Sequence, residues 1–307
     1  MATVPDLSVR LGRLKLANPV ITASGTFGYG EEYAGYLDVD RLGALTTKAI
    51  TLKPRDGNEP PRIIETTAGV LNAIGLANVG VAAFIRDKMP YLRSLKSVKV
   101  IVNVAGSTQA GYCEVVRQLE GVKGIAGLEI NISCPNVKQG GMAFGADPVR
   151  AYRLVAALRK LTKRFLLVKL TPNVTDIAGI ARKVEQAGAD GISLINTLSG
   201  MVVDLEARKP ALANVYGGLS GPAIKPVGLA CVHKVYTAVK IPVVGGGGIM
   251  NAADALEYMV AGARAVQIGT ASFVDPGAAA RVVGGIKIYC KKHSIRKVSS
   301  LTGTLSC

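Results

Sequence analysis

Short, almost wholly apolar runs recur along the chain, separated by longer stretches in which apolar positions return at helical spacing. The runs fall at residues 19–23, 44–49, 99–104, 127–132, 165–170, 191–195, 242–246 and 265–269. Strands covered on both faces read this way, because neither side meets water. The helical pattern is clearest over 81–92, 109–119, 148–161, 177–187, 222–239, 252–261 and 276–292. Eight strand-then-helix units predict an α/β fold, a closed (β/α)8 or TIM barrel in a single domain. An open doubly wound sheet is the competing architecture. The count of eight and the lack of a G-x-G-x-x-G after the first strand speak against it.

Three connections are longer than a barrel needs: 51–80, 133–147 and 196–221. Each follows a strand, so each is expected to project from the C-terminal mouth, where barrel enzymes work.

The polar residues inside this pattern change the picture from scaffold to enzyme. The seventh strand ends in Gly245-Gly246-Gly247-Gly248 and the eighth in Gly269-Thr270. Loops seven and eight of a barrel often cradle a phosphate, and helices starting there offer free N–H groups. The bland alternative is a tight turn. Other strand ends carry Ser24, Lys48, Asn103, Asn131, Lys169, Asn196 and Thr197. Lysine and asparagine are poor strand formers and costly to bury unpaired, so their recurrence at one mouth predicts a polar floor. Such a floor suits a flavin: asparagine amides match the N–H and C=O groups of the ring edge. A fixed lysine stabilises the negative charge that develops on reduction. Lys169 is the expected residue for that role, with Lys48 on the ring and substrate side. The alternative for Lys169 is a core ion pair, for which Glu129 is the obvious interior carboxylate. Cys134 opens the loop after the fourth strand. Beside lysines its thiol is expected to ionise easily and act as a base, although a lone cysteine is more often a small inert hydrophobe.

Composition narrows the class further. The 307 residues are 49% hydrophobic and 19% charged, which fits a compact globular chain. There are 37 Lys plus Arg against 21 Asp plus Glu, a formal net charge of +16. That favours anionic partners or is simply a solvated basic surface. Part of it gathers at Lys287, Lys291, Lys292, Arg296 and Lys297, away from the motifs. Five cysteines, none paired as C-x-x-C, argue against a disulfide framework, a zinc site or an iron–sulfur cluster in this chain. Reduced thiols, an N-terminus without an apolar signal core and no membrane-length apolar run predict a cytoplasmic protein. No metal site is expected.

Taken together, NPVITASGTFGYG (18–30), TTKAIT (46–51), NEPPRIIET (58–66), LNAIGLANVG (71–80), NVAGST (103–108), EINISCPNVKQGG (129–141), VKLTPNV (168–174), INTLSG (195–200), GGLSGPAIKP (217–226) and GGGGI (245–249) resemble class 1 dihydroorotate dehydrogenases. The resemblance is strongest to the catalytic subunit of the NAD-linked branch, class 1B, and covers nearly the whole chain. It implies that residues 1–307 form one FMN-binding barrel that oxidises dihydroorotate to orotate in pyrimidine biosynthesis. Cys134 is then the catalytic base. FMN is expected on Ser24, Lys48, Ala49, Asn103, Asn131, Lys169, Ile195, Gly221, Gly247, Gly248, Gly269 and Thr270. The substrate is expected on Lys48, Asn72, Ala73, Ile74, Gly75, Leu76, Asn131, Asn196 and Thr197. The branch further implies a homodimer core in a heterotetramer, whose partner subunit carries FAD and a 2Fe–2S cluster and passes electrons to NAD. The rivals are a fumarate-linked homodimer, an FMN barrel reducing another uracil-like ring, and a basic binding protein without catalysis.

Overall fold

The computed structural model describes residues 4–133 and 144–306. Eight parallel strands close into a barrel: Val20–Thr22, Ala44–Thr46, Lys99–Val104, Gly127–Asn131, Phe165–Lys169, Gly191–Leu194, Val243–Gly246 and Ala265–Ile268. Neighbours in the ring are neighbours in sequence, and the eighth strand pairs with the first through Val266 and Val20. Most strands are buried from end to end, which is why they read as unbroken apolar runs.

The second strand leaves the ladder early, at Thr46 rather than residue 49. Thr47 N–H donates to Ile101 O at 3.0 Å, yet the next bond to the third strand is Ile50 N–H to Asn103 O at 2.8 Å. Three residues on one strand span what two span on its neighbour, which is a bulge. Lys48 sits in it, its own N–H turned to Gly28 O at 2.7 Å.

Helices cover the outside as the periodicity predicts, with end shifts that have local causes. Asp147 caps Pro148–Arg159, and its carboxylate accepts from Val149 and Arg150 N–H. The stretch 81–92 is not one helix. Gly80–Ala83 passes through a π turn at Phe84–Lys88 into Met89–Ser94, because Pro90 has no N–H to continue an α ladder. The stretch 222–239 opens as a 3-10 turn, Pro222–Ile224, before the helix Lys225–Tyr236.

Two of the long connections carry a second, antiparallel sheet. Its order is Leu198–Gly200, Gly217–Ser220, Gly69–Asn72, Ile63–Thr66, and Leu71, Ala73 and Leu212 form its own small core. The third connection has a 3-10 turn at Phe144–Ala146, and its residues 134–143 lie outside the described residues. At the opposite end of the barrel a hairpin pairs Val9–Leu11 with Leu14–Leu16. There Arg13 donates to Lys163 O ahead of the fifth strand and faces Asp190 ahead of the sixth.

Gly43 leads into the second strand where backbones nearly touch: a Cβ there would lie 2.0 Å from Asn18 O. We expect Gly43→Ala to destabilise the protein by about 1–3 kcal/mol, as overpacking does. A thermal melt indistinguishable from wild type would show that the contact relaxes freely.

Candidate active site

A cavity of about 500 Å³ opens at the C-terminal mouth, within the range of cofactor and ligand pockets. Residues from seven of the eight strand ends and both inserted segments reach its wall. Ser24 comes from the first strand end, Lys48 and Ala49 from the bulge, Asn131 from the fourth strand and Lys169 from the fifth. Ile195, Asn196 and Thr197 follow the sixth, Gly247 and Gly248 the seventh, and Gly269 and Thr270 the eighth. The accessory sheet and its loops add Asn72, Ala73, Ile74, Gly75, Leu76 and Gly221. Thus nearly every residue expected at the site lines one cavity. Asn103 does not reach it: it is fully buried and its Nδ2 donates to Glu129 Oε1 at 2.6 Å. Cys134 lies outside the described residues.

Lys169 is only 7% exposed, and its Nζ donates to Ser24 Oγ at 3.5 Å. Among the described residues it forms no ion pair, and the partners of Glu129 are Asn103, Ser193 and Gln267 instead. The core ion pair weighed from the sequence is therefore not made. An ammonium on the cavity floor bonded only to a hydroxyl is available to a ligand.

Asparagines are held by each other rather than left to turn. Asn196 Nδ2 donates to Ser133 Oγ at 2.8 Å, and Ser133 Oγ donates to Asn131 Oδ1 at 2.8 Å. Tyr112 Oη donates to the carbonyl of Asn131 at 2.6 Å. The residues on this wall are thus set before a ligand arrives.

The segment 72–76 is equally fixed. Leu76 has φ 60°, an uncommon conformation for leucine, and Asn78 clamps it by donating from Nδ2 to Leu76 O at 2.7 Å. The Oδ1 of the same side chain accepts from Gly80 and Thr51 N–H. On the other side Asn58 donates to Ala73 O at 2.8 Å, and Asn72 Nδ2 to Gly218 O at 3.2 Å.

The glycine loop after the seventh strand is built to come close to a ligand. Gly248 has φ 72°, and a Cβ there would stand 2.8 Å from Gly221 O. Tyr258 Oη donates to Gly247 O at 2.7 Å from below. The helix that follows, Ala252–Val260, closes its own first turn with a capping box between Asn251 and Asp254. Asp254 also accepts from Met250 N–H and from Lys225 Nζ, which reaches Glu257 as well; these bonds hold the lysine's pKa above its usual range. The helix start thus spends donors on itself. The loop residues Gly246 to Met250 line the cavity.

Lys48 is half-buried, and burial pushes its pKa below the usual lysine range. Arg62 pushes it further down and Glu32 partly restores it. Glu32 itself lines the cavity, its carboxylate accepting from Tyr29 N–H at 2.9 Å.

Some wall residues escaped the sequence reading. Gln267 stands two positions before Gly269 on the eighth strand, so period-two alternation places both on the inner face. That signal was present. Tyr33, Ser220 and Phe273 come from connections whose course no local pattern fixes. The histidines, His233 and His293, lie in and at the end of outer helices and do not line the cavity.

Comparison with known proteins agrees with this geometry. The sequence profile of the dihydroorotate dehydrogenase family matches residues 6–289. A protein of Geobacter sp. (strain M21) is 56% identical over 301 residues, covering 98% of each chain. One of Pelobacter propionicus is 54% identical over 303 residues, covering 99% of each. One of Geobacter sulfurreducens is 54% identical over 301 residues, covering 98% of each. All three are named dihydroorotate dehydrogenase B (NAD(+)), catalytic subunit.

Proposed function

This chain belongs to the dihydroorotate dehydrogenase family, and on that premise we propose that it oxidises dihydroorotate to orotate on FMN, in pyrimidine biosynthesis. One observation supports this most: of the described residues that family resemblance marks for flavin and substrate, all but Asn103 line a single mouth cavity, and among the described residues the lysine on its floor meets no carboxylate.

The residues present fit a flavin mononucleotide. A phosphate would rest on the loop of Gly247 and Gly248 and on Gly269 and Thr270, where a Cβ at position 248 would crowd the backbone. Lys169 and Asn131 would meet the polar edge of the ring, with Ser24 and Ala49 beside it. Asn103 would act from behind the wall. Bound there, the flavin would supply the two-electron acceptor for hydride from C6 of the substrate. Lys48 and the segment Asn72 to Leu76 would hold the orotate carboxylate, and Asn131, Asn196 and Thr197 the ring amides. Cys134 would take the C5 proton: an S–H bond forms, the C5–H bond breaks, and its electron pair becomes the C5=C6 double bond. The fixed charge of Lys169 would offset the negative charge that develops beside it.

The relatives' name, catalytic subunit, supports a partner that carries electrons onward to NAD. In our reading the partner holds FAD and a 2Fe–2S cluster, and two copies of this chain form the core of a heterotetramer. Free thiols at Cys113, Cys231 and Cys290 favour a cytoplasmic setting. Among the described residues no helix is long and apolar enough to cross a membrane.

Three outcomes test this reading. Cys134→Ser should slow anaerobic flavin reduction by dihydroorotate at neutral pH by about 10²–10⁴-fold in a stopped-flow trace; an unchanged rate would remove the thiol from the base role. The purified chain alone should reduce NAD negligibly with dihydroorotate, and brisk turnover would show that no partner is needed. For Lys48 the sign is set by burial: the charged form is lost as pH rises through a pKa below that of free lysine. Orotate binding should therefore weaken with rising pH before the usual lysine range, whereas Lys48→Met should bind about tenfold or more weakly without that dependence. Identical pH profiles for the two proteins would contradict the assignment.

A further inference from the structure

Beneath the cavity floor lies a carboxylate that no step above uses. Glu129 is fully buried on the inner face of the fourth strand, two residues before Asn131. Its Oε1 accepts from Asn103 Nδ2 at 2.6 Å, and its Oε2 from Ser193 Oγ at 2.8 Å and Gln267 Nε2 at 2.7 Å. Those donors belong to the third, sixth and eighth strands, so one side chain ties four strands across the barrel. All these partners are neutral. A charge held that way is expensive to bury, and an apolar residue would fill the space more cheaply. The carboxylate therefore points to a role other than packing.

Two consequences follow from its chemistry. An ionised carboxylate only accepts hydrogen bonds, so the amides of Asn103 and Gln267 must turn their N–H groups toward it. What each has left is a second N–H and its carbonyl oxygen. Asn103 Oδ1 is buried with no partner, and Gln267 lines the cavity. Only the oxygen of Gln267 belongs to a wall residue, and an acceptor there suits the ring N–H or the ribityl hydroxyls of a flavin. The second consequence is electrostatic. Lys169 stands in register with both Asn131, just above Glu129 on the same strand, and Ser193, its hydrogen-bond donor. The carboxylate thus lies beneath the layer that carries the Lys169 ammonium.

We propose that Glu129 is a positioning residue for the flavin site, fixing the head group of Gln267 and balancing the charge of Lys169. This deepens the flavin reading and rests on it. The test compares wild-type and Glu129→Gln apoprotein titrated with FMN, followed by spectroelectrochemistry of the loaded proteins. A wild-type apoprotein that takes up no FMN would sink the flavin reading before Glu129 is at issue. If wild type binds, Glu129→Gln should bind FMN about tenfold more weakly, the loss of one oriented polar contact. Its flavin midpoint potential should also be less negative, because a negative charge no longer opposes reduction. Loss of packing alone would not move that potential, so an unchanged potential overturns the proposal. Should Glu129→Gln not fold, Gln267→Met keeps the carboxylate and removes the amide it orients. Weaker FMN binding then supports the proposal, and wild-type binding overturns it.

Discussion

Closure of the barrel is the constraint from which the rest of this structure follows. Eight short strands leave no free edge only if each pairs on both sides, from the first strand round to the eighth. Closure sends alternate residues inward and brings strand ends far apart in sequence to one rim. Ser24 and Thr270, at opposite ends of the chain, line the same cavity for this reason. The ring also explains why the strands are so apolar: helices cover the outside while side chains fill the inside.

Against that apolar background the inward polar residues stand out as costly, and those at the mouth are held by a partner or face the cavity. Asn131, Ser133 and Asn196 satisfy one another. Asn78 spends its amide holding Leu76 in a strained conformation. Lys169 has a hydroxyl and the cavity. The basic floor fits an anionic cofactor and a carboxylate substrate, whereas the surface excess of positive charge carries no such argument. The strained Leu76 and the ammonium of Lys169 both stand at the mouth, while the opposite end is closed by a plain hairpin.

Much of this was legible in the sequence because it obeys local rules. Strands buried on both faces announce themselves as apolar runs, and glycines or asparagines at their ends mark a rim. What was not legible depends on partners remote in the chain. Gly218 of the accessory sheet pairs with Asn72, so neither segment alone shows a strand pattern. The bulge at Lys48 is defined by its neighbour's spacing, not by its own residues. Pro90 signals a disturbed helix, and the π turn is how the chain absorbs it. Asn103 shares the residue type and strand position of the cavity asparagines, yet Glu129 draws its amide below the floor. Its outcome depends on a side chain 26 positions away, which no reading of the local segment reveals.

The central claim is that these converging side chains make a flavin site for dihydroorotate. The visible spectrum of the purified protein, recorded before and after anaerobic addition of dihydroorotate, tests it most directly. A yellow protein whose flavin band bleaches on addition, with FMN released on denaturation, is the result this account predicts. A colourless protein that takes up no FMN, or a flavin band indifferent to dihydroorotate, would contradict it.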